Sequence, residues 1–176
     1  KPVEYLSVIY SMPKWLTERF LEEYGFETTE KILEAFLEES PTTVRIREYQ
    51  VEEAAVLESL KEEGVETEHA PYVKRAYYLN GYDYLPALRA FRMGNLQVQD
   101  VSSMLVAEIA NPSKGDYVID LCAAPGGKSL HMGDKMEGFG TVDARDVSQY
   151  KVDLIEENIH RAGAINVQAK VKDATV

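Results

Sequence analysis

The heptapeptide Cys122-Ala123-Ala124-Pro125-Gly126-Gly127-Lys128 constrains this chain more than any other stretch. It follows an apolar, strand-like run, Tyr117 to Leu121, and precedes a helix-like run from Ser129 to Met136. A glycine turn between a strand and a helix is where open α/β sheets bind cofactors. The glycines let the backbone approach a ligand closely, and the helix N-terminus presents free N–H groups to an anion.

Three ligand readings compete for this turn. A phosphate loop requires G-x-x-x-x-G-K-[ST]; Gly127-Lys128-Ser129 supplies its last three positions, but Cys122 stands where the first glycine belongs. A nucleotide hydrolase built on that motif is therefore a weak rival. A dinucleotide fingerprint requires G-x-G-x-x-G, which the adjacent glycines 126 and 127 do not fit. The third reading is S-adenosylmethionine, which carries no phosphate, so that a shorter turn can hold its methionine carboxylate.

The residues that follow favour the third reading. Phe139 to Ala144 reads as a second strand with Asp146 just past its end, and Val167 to Val171 as a third with Asp173 just past its end. An acid about 20 residues after a glycine turn is placed to hold ribose hydroxyls. Most aspartates after strands are caps or turn residues. Three consecutive strand ends carrying a Gly turn, an Asp and an Asp make the cofactor reading the better one.

These residues resemble a known family. Asp120 to Ser129, DLCAAPGGKS, resembles the cofactor loop of the Sun-type (Nol/Nop/Sun) RNA 5-methylcytosine methyltransferases. Val98 to Ile109 resembles that family's helix before the loop, and Val142 to Gly163 its second cofactor motif and following helix. Tyr10 to Gly25 and Pro41 to Arg47 resemble its upstream subdomain. The resemblance covers nearly the whole chain and is nearest to the branch that methylates small-subunit (16S-type) ribosomal RNA. It implies the first half of a Rossmann-like, S-adenosylmethionine-dependent methyltransferase sheet preceded by a small α+β subdomain. Carried over by position, Cys122, Ala123, Ala124, Pro125, Gly126, Gly127 and Lys128 would line the methionine end of the cofactor. Asp146 would hold the ribose, and Asp173 would contact the adenine side. Ser129 stands where the family often has Thr, and Arg47-Glu48 where its upstream strand often ends in Asn.

The resemblance also places the catalytic pair, two cysteines, downstream of the third cofactor motif. Cys122 is the only cysteine of this chain. It reads as a small buried wall of the pocket rather than as a nucleophile, so no residue here is assigned a catalytic role. The chain is expected to be the N-terminal part of such an enzyme, holding most of the cofactor site and inactive alone. The alternative is a non-catalytic RNA-binding module with a vestigial loop.

Of the residues, 45% are hydrophobic and 28% charged, which suits a globular protein, and no run is long enough to span a membrane. One cysteine fits a reducing cytoplasm. No Cys/His set has metal-ligand spacing, and His69, His131 and His160 read as surface or packing residues. The net charge of −11 sits between Glu18 and Glu68, which hold sixteen acids and five Lys/Arg. Strong non-specific RNA binding is not expected from such a balance, because phosphate neutralisation supplies that affinity. RNA, ribosomal RNA foremost, is the expected partner through a local surface.

Residues 1–94 are expected to form the accessory subdomain and 95–176 the cofactor domain. Tyr10 to Glu39 reads as two helices, with Pro13 in a first turn, a stripe of Trp15, Leu16, Phe20 and Tyr24, Gly25 as C-cap and Thr28 capping the second. Thr43 to Arg47 reads as a strand, Val51 to Glu63 as a helix and Val65 to His69 as a strand. Pro71 to Gly94 reads as irregular. Its Tyr72, Tyr77, Tyr78, Tyr82, Tyr84 and Phe91 alternate with Lys74, Arg75, Arg89 and Arg92, a mixture that can stack bases. Packing between subdomains is the preferred reading of these tyrosines. Asp100 to Ala110 reads as a capped helix. Ser148 to Arg161 reads as another, ended by Gly163, with Asn158 on its solvated face. The strand Tyr117 to Leu121 should expose an unpaired apolar edge, and self-association is the expected result.

Overall fold

The computed structural model describes residues 1–38 and 40–175. Glu39, the expected end of the second helix, and Val176 lie outside the described residues. The chain divides into two units, Lys1–Ser40 and Pro41–Val176.

In the first unit, helix α1 (Pro2–Ile9) packs on α2 (Lys14–Ala35). Sequence reading misses α1, a short helix with proline in its first turn. Pro13 stands one place earlier than expected, as the N-cap of α2. Gly25, at φ 72° and ψ 177°, breaks the helix into two segments that join without the cap expected at Thr28. Leu6, Thr17, Thr29 and Leu33 are buried, whereas Trp15 and Tyr24 of the expected stripe are exposed.

The second unit holds two sheets. Strands β1 (Thr42–Ile46), β2 (Glu66–His69), β3 (Ala76–Asn80) and β4 (Leu96–Val98) form an antiparallel sheet in the order β2-β3-β1-β4. β3 corrects the expectation of an irregular stretch from Pro71 to Gly94. Its Tyr77 and Tyr78 suit a pleated, half-buried surface, and pairing with β1 and β2 supplies the backbone partners a local reading cannot see. Val44, Ile46, Leu79 and Leu96 of this sheet form one core with Val56 and Leu60 of α3 (Glu53–Glu62). A 3₁₀ turn, Leu85–Ala87, and α4 (Arg89–Arg92) lead into β4. Tyr78 packs beside Met104 and Leu105 of α5 (Val101–Ala110), as the packing reading of the tyrosines expects. Tyr72 and Tyr84 remain exposed.

Strands β5 (Tyr117–Asp120), β6 (Thr141–Asp146) and β7 (Val167–Val171) form a parallel sheet in the order β5-β6-β7. Helices α6 (Gly127–Lys135) and α7 (Gln149–Ala162) are the crossovers. Leu130, Met132, Met136 and Ile155 from these segments pack with Val142, Ala144 and Val167 of the strands. Hydrophobic burial of this kind is the main force that holds crossover helices on a sheet. β5 is an edge strand on which Tyr117 and Ile119 are exposed.

Buried charge joins the two sheets. Arg45 Nη1 and Arg47 Nη2 of the β1 segment reach Asp134 of α6 at 2.8 and 2.7 Å. Arg47 also donates to the carbonyl of Ala162, at the end of α7. In return, Arg161 donates to the carbonyls of Phe91 and Leu96, each at 3.1 Å, and lies over the Phe91 ring. At Gly94 the two chain segments are in close contact. Gly94 has φ 70°, and a Cβ there would collide with the Arg161 carbonyl and lie 2.8 Å from Ala162 Cα.

Candidate cofactor site

The loop after β5 is built by the strand ends on either side of it. Asp120, the last residue of β5, accepts from Ser129 Oγ at 2.7 Å and from the Cys122 N–H at 3.4 Å. It thus pins both ends of the loop, a role the sequence reading did not assign to it. Asp146 is the last residue of β6 rather than the residue just past it. Its Oδ2 accepts from the Ala124 N–H at 3.0 Å, and its Oδ1 from the Val147 N–H at 2.8 Å. Lys151 Nζ stands 3.3 Å from the same Oδ1. Burial alone would push this carboxyl up. The two backbone bonds and Lys151 outweigh it and hold Asp146 below the usual carboxylate range.

The loop is tied at three further points. The Ala123 N–H donates to the Arg145 carbonyl at 2.9 Å, and the Gly126 N–H to the Ala123 carbonyl at 2.6 Å. Asn158 Nδ2 donates to the Pro125 carbonyl at 3.0 Å. This corrects the solvated reading of Asn158: it stands on the face of α7 that meets the loop. Gly126 adopts φ 106°, and a Cβ there would press on Ile155 Cγ2 at 3.3 Å. A left-handed residue in close contact with α7 calls for glycine.

A cleft of about 220 Å³ lies on this loop, lined by Cys122, Ala123, Ala124, Pro125, Gly127 and Lys128 on one side and by Val98, Gln99, Asp100 and Ser103 on the other. Cys122 is exposed in it, not the buried wall expected, because it leaves an edge strand toward open space. The N-cap of α6 is Gly126, which has no side chain, so among the described residues the first-turn N–H groups have no side-chain acceptor. Lys128 Nζ reaches Ser103 Oγ at 3.3 Å across the cleft.

The other predicted site residues stand apart from the cleft wall. Asp146 lies behind the loop, and Gly126 is buried against α7. Asp173, beyond β7, accepts from the N–H and Oγ1 of Thr175 at 2.8 and 2.7 Å. This local turn holds its carboxyl below the usual range. The structure thus brings together the loop and Asp146, and shows Asp173 engaged only locally.

The fold also gathers a polar cluster that spacing does not reveal. One ligand-type atom from each of Glu48, Glu108 and His131 lies within 4.8 Å of the others. Lys135 Nζ already binds Glu108 at 2.9 Å. His131 Nε2 is 3.0 Å from Glu108 but not aligned for a hydrogen bond. Burial, then the nearby Arg45 and Lys135, push the imidazole down to about 2. His131 is therefore neutral at ordinary pH.

A parallel sheet with a glycine turn after one strand and an acid at the end of the next is the Rossmann-like arrangement of cofactor-binding proteins. Among solved structures, that of PH0851 has a TM-score of 0.87 at 29% identity, covering 98% of this chain and 39% of that one. Residues 12–82 match the family described as Methyltr_RsmF/B-like, ferredoxin-like domain. Residues 107–176 match that described as 16S rRNA methyltransferase RsmB/F. The chain belongs to this RsmB/F methyltransferase family. The probable ribosomal RNA small subunit methyltransferase B of Bacillus subtilis (strain 168) is 36% identical over 174 residues, 98% of this chain and 38% of that protein. The tRNA (cytosine(72)-C(5))-methyltransferase of Pyrococcus horikoshii is 39% identical over 90 residues, 51% of this chain and 23% of that protein. The chain thus spans well under half the length of these curated relatives.

Proposed function

We propose that this chain forms the cofactor-binding front of an S-adenosylmethionine-dependent RNA cytosine-5 methyltransferase acting on small-subunit ribosomal RNA in the cytoplasm. The observation that carries the reading is the loop itself, knitted to Asp120 and Asp146 and facing a cleft at the uncapped start of α6. Family membership supports the RNA substrate. The absence, among the described residues, of a helix long and apolar enough to cross a membrane agrees with work on a dissolved RNA.

The residues fit the proposed group. A carboxylate suits free N–H groups at a helix start. In this reading Cys122, Ala123, Ala124, Pro125, Gly126, Gly127 and Lys128 form the methionine end of the site. Asp146, already holding the loop, offers the ribose the lone pairs left on its carboxylate, and Asp173 faces the adenine side. Bound S-adenosylmethionine supplies the methyl group. This chain's residues orient it and keep the loop closed on the sheet. The cysteine chemistry of the family is assigned to no residue here.

Calorimetric titration of S-adenosylmethionine into the chain, with Asp146→Ala as control, tests the reading. Binding that disappears in the variant supports it. Binding that persists unchanged removes Asp146 from the site, and RNA binding without any cofactor binding favours a non-catalytic RNA module.

A further inference from the structure

Gln99 follows β4 and stands in the wall of the cleft opposite the glycine loop. Its backbone N–H donates to the Thr43 carbonyl at 3.1 Å, which locks it beside β1. The residue is buried, at 7% exposure, and its Nε2 has no hydrogen-bond partner among the described residues. Buried amides are ordinarily paired, so an orphaned NH₂ marks a missing acceptor.

The orientation of this amide is fixed by chemistry. Arg45 Nε points at Gln99 Oε1 across 3.4 Å, and Arg45 is itself held by Asp134 at 2.8 Å. A guanidinium can only donate, so it must meet the amide oxygen. The NH₂ is thereby turned away from Arg45, and the side chain lies against Gly127. A Cβ built on Gly127 would lie 3.6 Å from Gln99 Cδ and 3.9 Å from Nε2. Gly127 is the first residue of α6, whose opening N–H groups also lack a side-chain cap. Two sets of unpaired donors therefore converge on one corner of the cleft.

We infer that Gln99 donates to the carboxylate of the ligand's amino-acid end and completes a seat whose other donors are the first-turn N–H groups of α6. A carboxylate has lone pairs enough for both sets, whereas an ammonium or sulfonium turned into this corner would meet only donors. Gln99 thus sets which end of the ligand enters first, and Arg45 is the positioning residue that fixes its amide. The inference rests on the cofactor reading of the loop.

The test uses S-adenosylhomocysteine and 5′-methylthioadenosine, which lacks the amino-acid end. Each is titrated into the full chain, its Gln99→Leu variant and its Gln99→Glu variant. Glu at this position can still accept from Arg45, so the fold is retained while the donor becomes a like charge. Both variants should bind S-adenosylhomocysteine about 10- to 100-fold more weakly, the range for a hydrogen bond to a charged group. Affinity for 5′-methylthioadenosine should not change. Unchanged S-adenosylhomocysteine affinity in both variants, or equal losses for both ligands, would overturn the inference while leaving the cofactor reading in place. If the unsubstituted chain binds neither ligand, the cofactor reading fails and this inference with it.

Discussion

The Ala124 amide and the Asp146 carboxylate meet at 3.0 Å, so the second strand end of the parallel sheet holds the middle of the loop that follows the first. Because Asp146 is charged and buried, this bond is of the stronger, charge-assisted kind.

Replacing Asp146 by Ala should therefore release the loop. The expected loss is about 1–3 kcal/mol of stability, with faster hydrogen exchange at the Ala124 amide. An Ala124 amide that exchanges as slowly in the variant as in the parent would show that the loop is held by other means. Since the folded carboxyl titrates below its ordinary range, this contribution is complete above that range and fades as the pH falls through it.

Asp134 is the one carboxylate shared by the buried Arg45 and Arg47. Asp134→Ala strands both guanidiniums away from water and should cost about 3–5 kcal/mol, read as a shift in the urea midpoint. A variant as stable as the parent would mean that the network contributes nothing net.

Gly94→Ala should be among the most damaging small substitutions. The left-handed backbone alone costs about 1–2 kcal/mol, and the new methyl would also strike the Arg161 carbonyl. Thermal melting should fall by more than the backbone cost explains. A melting point within a degree or so of the parent's would refute the close approach of these segments.

His131 gives the stability an acid-sensitive side. The buried imidazole titrates at about 2, whereas in the unfolded chain it titrates near its ordinary value of 6.5. Between these values the unfolded state binds the extra proton, so stability rises with pH. The His131 contribution is fully present above 6.5 and is lost progressively as the pH falls toward 2. His131→Phe should flatten the stability profile between about pH 6.5 and 4, above the carboxylate range. A profile as steep as the parent's in that interval would remove His131 as the cause.

β5 leaves one side unpaired, with Tyr117 and Ile119 exposed. Such edges recruit further strands. The chain is expected to self-associate in sedimentation velocity, and Ile119→Lys to reduce that association. A parent that stays monomeric at high concentration counts against it.

The β5-to-β7 half was the more legible part of the sequence. β5 is a short, largely apolar run, each crossover is an amphipathic helix, Gly126 falls in the turn after β5 and Asp146 at the end of β6. These signals are local, and the loop residues stand where the pattern puts them. The antiparallel half was less legible because its evidence is distant. Tyr77 and Tyr78 become a strand only by pairing with Thr43 and Val44, which no window around Pro71 contains. The same holds for Asp120, Asn158 and Gln99, whose contributions are hydrogen bonds to atoms far along the chain or across a turn. Cys122 was misjudged because burial of a loop residue depends on which strand is at the edge, a property of the sheet order.

The bond from Arg45 to Asp134 spans 89 residues of sequence. At about 5–20 residues per second, a ribosome needs roughly 5–20 seconds to bring the acid out after the arginine has emerged. Through that interval Arg45 of β1 and Arg47 just after it lack the carboxylate that pairs with them in the folded chain, so their burial has to await it. That carboxylate arrives with α6, the helix that also opens on the glycine loop, so the burial of these cations and the start of the loop's helix fall at the same stage of synthesis.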